Sequence, residues 1–321
     1  MADPGWINVT VARREAAAEG VAAFELRHAD GAPLPPFDAG AHIDVELPNG
    51  LVRQYSLCNR PGETARYCIG VLREDAGRGG SRCVHEALHE GTGLRISAPK
   101  NHFRLVAARY AILLAGGIGV TPLLAMAEAL TAADASFEMH YCSRSRARTA
   151  FVERIAAAPY AARVAFHHDD GADAQKFDAR AVLAAPAADT HLYVCGPKGY
   201  MDHVIATAKA LGWAADHIHF EYFAGAPVDH SADDAFEIEL AASGRVVPVP
   251  AGQTVIAALA AAGVEVPVSC EQGVCGTCIL KVVGGTPDHR DMYFSDAEHA
   301  ANDQFTPCCS RSKTPRLVVE L

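Results

Sequence analysis

Five of the ten cysteines in this chain crowd between positions 270 and 309, and four of them, Cys270, Cys275, Cys278 and Cys308, follow a C-x4-C-x2-C run with a distant fourth thiol. That spacing constrains the fold more than any other feature. Three sulfurs must come from one tight loop and the fourth from another element, which is the arrangement that holds the two irons of a [2Fe-2S] cluster. Gly273 and Gly276 fit such a loop, because glycine supplies free φ angles and brings backbone N–H groups close to sulfur. A four-cysteine zinc site would arrive as paired C-x2-C knuckles, and the second pair is missing. Cys309 adjoins Cys308, so chemistry alone leaves either as the fourth ligand.

The setting of the cysteines agrees with a metal centre and not with disulfides. The N-terminus places an acid and a Pro-Gly break where an export signal needs a basic region and an apolar run, so the cytoplasm is the expected compartment. The net charge of −10 and the absence of any Lys/Arg run argue against nucleic acid or an anionic membrane as partner. Residues 110–127 contain 18 uncharged positions, but Gly116, Gly117, Gly119 and Pro122 divide them into a strand and a helix.

At 321 residues the chain has room for two or three domains. Period-two alternation from Ile7 to about Val106 predicts an antiparallel β-barrel over residues 1–106. The rhythm changes to strand and helix units at 107, which predicts an open α/β sheet over 107–224. Residues 225–234 read as an exposed linker, rich in Gly, Pro, Ser and Asp. A third, α+β domain is expected over 235–321, with strands at Phe236–Leu240 and Arg316–Leu321 and a helix from Thr254 to Ala262 stopped by Gly263.

Two turns in the α/β region suit a nucleotide. In Ala111-Ile-Leu-Leu-Ala-Gly-Gly-Ile-Gly-Val-Thr-Pro122 a strand runs through a glycine turn into a helix, expected to be capped by Thr121 with Pro122 at its first position. The orphan N–H groups and positive dipole end of such a helix attract phosphate. A second strand ends at Cys195-Gly196-Pro197, and ligands of open sheets sit at the carboxyl ends of strands. The barrel region carries its own anion candidates, Arg53-Gln54-Tyr55-Ser56 on a strand and Gly79-Gly80-Ser81 at a helix start.

Taken in order, Arg53-x-Tyr55-Ser56-Leu57, Gly79-Gly80-Ser81, Gly116-Gly-Ile-Gly-Val-Thr-Pro122, Cys195-Gly196-Pro197 and the cysteine cluster resemble the ferredoxin–NADP reductase superfamily fused to a plant-type ferredoxin. More narrowly, the chain is similar to the phthalate dioxygenase reductase and vanillate O-demethylase reductase family, as are the segments Gly285–Asp291 and His219–Phe223. The resemblance implies an FMN-binding β-barrel, an NADH-binding α/β domain and a β-grasp ferredoxin, in that order. It implies that Arg53, Gln54, Tyr55 and Ser56 hold the flavin, with Ser56 near N5 and Tyr55 against the ring, and that Gly79, Gly80 and Ser81 bind its phosphate. Gly117, Gly119 and Thr121 would bind the nicotinamide nucleotide, with Cys195, Gly196 and Pro197 beside it and Phe223 on the flavin face. The ferredoxin likeness puts the fourth iron ligand at Cys308. Ser143-Arg144-Ser-Arg146 departs from the NADH pattern, since Ser and Arg there can accommodate the 2′-phosphate of NADPH.

The function that this resemblance implies is that of a reductase: hydride from NADH to FMN, then single electrons through the cluster to a Rieske-type oxygenase or O-demethylase acting on a small aromatic compound. A monomer is expected. Two other classes compete, a stand-alone electron carrier and a self-contained flavin monooxygenase. The nucleotide signals oppose the first and the lack of a substrate domain opposes the second.

Overall fold

The computed structural model describes residues 5–225 and 233–321. It divides into one compact unit that runs to Phe223 and a second from Ala224 to Leu321. Of the stretch 225–234 that reads as a linker, residues 226–232 lie outside the described residues; Asp233, at its end, buries its carboxylate between Arg290 and Arg311.

The first unit begins with strands β1 (Ile7–Ala18), β2 (Val21–His28), β3 (His42–Glu46), β4 (Val52–Ser56) and β5 (Tyr67–Leu72), helix α1 (Gly80–Ala87) and strand β6 (Gly93–Ile96). They form a six-stranded sheet in the order β4-β3-β6-β1-β2-β5. Its two edges meet: a bridge pairs Leu57 with Ile69, and Cys58 N donates to Cys68 O at 2.9 Å, so the sheet closes into an antiparallel barrel. Alternation explains the closure, because Val9, Val11, Leu26, Ile43, Val45, Ile69 and Ile96 all turn inward and are buried.

The α/β part comes next: β7 (Tyr110–Gly116), α2 (Val120–Ala132), β8 (Ser136–Ser143), α3 (Val152–Ala156), β9 (Val164–His168), α4 (Ala179–Val182), β10 (Thr190–Cys195), α5 (Lys198–Ala210) and β11 (Ile218–Glu221). Its five strands are parallel in the order β11-β10-β7-β8-β9. The order reverses between β7 and β10, and that reversal opens a crevice at their carboxyl ends. Barrel residues such as Phe103 and α/β residues such as Leu123, Met126 and Tyr193 belong to one continuous apolar core. The uncharged stretch 110–127 is β7, a turn and the start of α2, and among the described residues no helix is long and apolar enough to cross a membrane.

The second unit contains β12 (Phe236–Leu240), β13 (Arg245–Val249), α6 (Val255–Ala261), β14 (Leu280–Gly284), β15 (Pro287–Asp288), α7 (Asp296–Ala301), β16 (Gln304–Phe305), β17 (Arg311–Ser312) and β18 (Arg316–Val319). The main sheet is mixed, in the order β13-β12-β18-β14-β16, with only β12 and β18 parallel. Val255, Ala258 and Leu259 of α6 pack with the buried side chains of this sheet. Helix α6 starts at Val255, one residue later than the sequence reading, because Thr254 caps it by accepting from Ala257 N at 3.2 Å.

Candidate active site and cluster-binding loop

The crevice at the sheet reversal is built by two loops in contact. Ala115 on β7 lies opposite Cys195 on β10, so the glycine turn and the Cys195-Gly196-Pro197 turn leave the sheet side by side. A Cβ at Gly119 would stand 2.3 Å from Cys195 O and 2.6 Å from Gly196 N, so no other residue fits without moving backbone. Gly117 is different: its φ is +53°, and a Cβ there would meet nothing within 4 Å. The turn therefore needs one glycine for close approach and one for a left-handed angle, and it leaves open space above the latter. Helix α2 carries no acidic residue in its first turn and, among the described residues, no side-chain cap, so its first N–H groups suit an anion.

Thr121 does not cap α2. The helix starts at Val120, after Gly119, and the Thr121 hydroxyl donates to Ile118 O at 3.0 Å. Its methyl group lies against Gly70 of barrel strand β5, where a Cβ would stand 3.0 Å away. The side chain is buried and ties the glycine turn to the barrel. A threonine before a proline looks like a cap in sequence, but a turn of 3-10 helix over Gly117–Gly119 moves the start of α2.

On the barrel, β4 aims Arg53 and Tyr55 to one face and Gln54 and Ser56 to the other. The Arg53 side chain lies directly over Gly80, where a Cβ would come within 2.7 Å of Nε. Gly79 precedes α1 with a φ of +82°, and the first turn of that helix also lacks acids and side-chain caps. A guanidinium beside an uncapped helix start is a cradle for a phosphate. The Ser81 hydroxyl is engaged by the backbone of Glu74. Tyr55 is partly buried beside Arg53 and Cys83, and burial pushes its phenol up. Gln54 donates to Asp44 Oδ1 at 3.0 Å.

Ser56 reaches the α/β sheet. Its hydroxyl donates to Glu221 Oε2 at 3.5 Å, and Glu221 at the end of β11 sits in register with Cys195 at the end of β10. Barrel serine, sheet cysteine and sheet carboxyl thus meet from three strands. Burial pushes the Glu221 carboxyl up to about 8, with the Ser56 hydrogen bond pulling the other way, so it holds a proton at neutral pH. Burial and the adjacent Glu221 raise the Cys195 thiol. Phe223, two residues on, is 38% exposed. The sequence reading gives Glu221 no role, although a lone carboxyl inside the family-like run His219-Phe-Glu-Tyr-Phe223 at a strand end was an available signal.

In the second unit the thiols of Cys270, Cys275, Cys278 and Cys308 converge. Cys270 is held well below the usual thiol range by hydrogen bonds from Cys275 and Cys308, while Cys308 is pushed up by Cys270, Cys278 and Cys309. Cys309 lies beside Cys308 and against Gly273 of the loop, and its thiol is also engaged by Thr306 Oγ1 at 3.3 Å, with Ser310 Oγ at 3.9 Å. The loop is tight: Gly273 and Gly276 have φ of +69° and +68°, and a Cβ on Gly276 would press into the Tyr293 ring at 2.4 Å. Four converging, largely buried sulfurs on such a loop are a donor set that fits two irons, and the Gln272 N–H points at Cys270 Sγ at 3.4 Å.

The Ser143-Arg144-Ser-Arg146 stretch departs from its sequence reading at one residue. Ser143 is buried, and its hydroxyl is engaged by Ser145 O, Thr149 Oγ1 and His168 Nδ1. Of the four residues, only Arg144 and Arg146 are exposed.

Comparison with known proteins gives consistent relatives. Residues 238–313 match the family of 2Fe-2S iron-sulfur cluster binding domains. The chain is 54% identical over 316 residues to a vanillate O-demethylase oxidoreductase of a Pseudomonas species, covering 98% of this chain and 100% of that one. A solved phthalate dioxygenase reductase, described as modular for electron transfer from pyridine nucleotides to [2Fe-2S], superposes with a TM-score of 0.78 at 38% identity over 99% of this chain and 98% of its own. An intact type IV self-sufficient cytochrome P450 monooxygenase superposes with a TM-score of 0.86 at 35% identity, but this chain spans only 41% of its length.

Proposed function

This chain belongs to the family of vanillate O-demethylase oxidoreductases and phthalate dioxygenase reductases, and from that premise we propose that it is the reductase component serving a Rieske-type oxygenase or demethylase. When bound, a nicotinamide supplies hydride, a flavin exchanges an electron pair for single electrons, and a [2Fe-2S] cluster carries them singly. Everything else is positioning by this chain.

Arg53 and the Gly79–Gly80 helix start hold the phosphate of FMN, with Ser81 shaping the loop through Glu74. Tyr55 would pack against a bound flavin, Ser56 would offer it a hydroxyl, and Phe223 would cover it. Gly117 and Gly119 would admit the nucleotide phosphates, Thr121 fixes the turn through Ile118 O, and Cys195, Gly196 and Pro197 would border the nicotinamide. Glu221 keeps a proton on its carboxyl beside Ser56 Oγ, which makes the pair a proton store at the flavin edge. Cys270, Cys275, Cys278 and Cys308 hold the irons.

The observation that carries this reading is the meeting of Ser56, Cys195 and Glu221 at the crevice, because it joins the barrel's flavin-type motif to the nucleotide-type turn. NADH is the proposed donor, which suits a Ser143 hydroxyl already committed within the protein. The barrel, the α/β sheet and the ferredoxin act as three modules, 1–106, 107–224 and 235–321, in a cytoplasmic monomer. The test is Cys275→Ser in the full chain: NADH should still bleach the flavin while cytochrome c reduction is lost. Normal cytochrome c reduction by that variant would overturn the order of the relay.

A further inference from the structure

We propose that His289, Asp291 and His299 form a binding site for a divalent transition-metal ion, separate from the four cysteines. The three side chains come from the segment after β15 and from α7, and their ligand atoms all lie within 4.8 Å of one another. His299 Nε2 stands 3.1 Å from Asp291 Oδ2, and His289 Nδ1 stands 3.7 Å from Asp291 Oδ1. The two imidazole rings are 4.5 Å apart.

His289 carries the argument. Its side chain is 8% exposed, the Asp291 carboxylate beside it is fully buried, and neither ring nitrogen has a hydrogen-bond partner among the described residues. The Asn302 amide lies near the ring without meeting hydrogen-bond geometry. Leaving a buried polar group unpaired costs about 1–3 kcal/mol, so a site that does this needs a reason. A proton on Nδ1 does not supply one, since 3.7 Å to the carboxylate is too long for a hydrogen bond. A metal ion does: donors each about 2.0–2.2 Å from one ion stand roughly 3–3.6 Å from each other, and the two imidazole nitrogens lie 3.1 and 3.7 Å from the two oxygens of the Asp291 carboxylate, near enough to close on one ion with small side-chain shifts.

The donors also select the ion. Two imidazoles and one carboxylate, with no thiolate, suit zinc or another borderline first-row ion and leave positions for water. His299, with 26% of its side chain exposed, lies on the route from solvent. The carboxylate is already oriented, because Asp291 Oδ2 accepts from the N–H groups of Tyr293 and Phe294 at 3.1 and 2.9 Å, and Ser310 Oγ approaches Oδ1 at 3.5 Å. The same segment braces the cysteine loop: Met292 N donates to Gly273 O at 2.9 Å, and a Cβ on Gly273 would meet Asp291 Cα at 2.9 Å. An ion here cross-links α7 to the strut behind that loop.

The test uses the full-length protein with its irons in place, freed of loose metal by chelator and then equilibrated with zinc. About one zinc per chain should be retained with iron unchanged, and X-ray absorption at the zinc edge should show only nitrogen and oxygen neighbours at about 2.0–2.1 Å. His299→Ala and His289→Gln should each weaken zinc binding by about 10-fold or more at constant iron content. Zinc at the background level, retention undiminished in both variants, or a sulfur shell at about 2.3 Å with loss of iron would each overturn the proposal. Should a variant fail to fold, the absorption spectrum of the unaltered protein decides.

Discussion

Replacing Gly119 by alanine isolates the contact on which the crevice depends. Gly119 has ordinary helical backbone angles, so an alanine there suffers no conformational penalty, only collision. Its Cβ would lie 2.3 Å from Cys195 O and 2.4 Å from Cys195 C, against an ordinary contact distance of about 3.5 Å, so the two loops must part by roughly 1 Å. Neither side yields easily, because Cys195 is locked in register between Ala115 of β7 and Glu221 of β11. Overpacking of this kind costs about 1–3 kcal/mol or more. A shift of about 1 Å in positioning groups can cost a further ~100-fold in the reaction they serve.

Gly117→Ala is the control. It collides with nothing but forces alanine to a φ of +53°, which costs about 1–2 kcal/mol. Chemical denaturation of both variants gives the stabilities, and stopped-flow reduction of the flavin by NADH gives the functional effect. Gly119→Ala should be at least as destabilised as Gly117→Ala and should lose flavin reduction more severely. If Gly119→Ala were within about 0.5 kcal/mol of the unaltered protein and reduced its flavin normally, the argument from loop contact would fail.

The geometry leads to three further outcomes. Cys308→Ser should lose the visible bands of the cluster and its iron, whereas Cys309→Ser should keep both, since it is Cys308 that reaches Cys270 and Cys278 while Cys309 is engaged by Thr306 and Ser310. The raised Glu221 carboxyl makes the folded state bind a proton that the unfolded chain releases. Its stabilising contribution is therefore complete below about pH 4.5 and falls by up to about 1.4 kcal/mol per unit as pH rises toward about 8. Glu221→Gln should flatten that part of a stability–pH profile of the flavin-free protein, and an unchanged slope would refute the burial of a protonated carboxyl. Ser143→Ala should cost about 1 kcal/mol of stability, by thermal melting, without changing the ratio of NADH to NADPH activity, while Arg144→Ala should lower whatever NADPH activity exists.

Features that local chain geometry imposes are legible in the sequence alone. A loop bearing three converging thiols needs a fixed spacing and glycines at left-handed angles, and Cys270 to Cys278 display both. Alternation in Val9, Val11, Ile43 and Val45 announced the barrel, and the glycine turn after Ala115 announced a crevice at a strand end. These are short-range constraints, so they are written in neighbouring residues.

Long-range features emerged only with the packed fold. Ser56 and Glu221 are 165 positions apart and meet because barrel and sheet share one core. Thr121 turned to the barrel because a turn of 3-10 helix shifted the start of α2, a displacement of one or two residues that no periodicity records. Cys308 reaches Cys270 and Cys278, whereas Cys309, in contact with Cys308, is engaged by Thr306 and Ser310; only packing decides which of two adjacent thiols joins the other three. His289 and Asp291 lie in the family-like segment Gly285–Asp291, but nothing in the sequence joins them to His299. Folding the strut and α7 against each other buries them as one cluster, because their proximity is a property of packing and not of spacing.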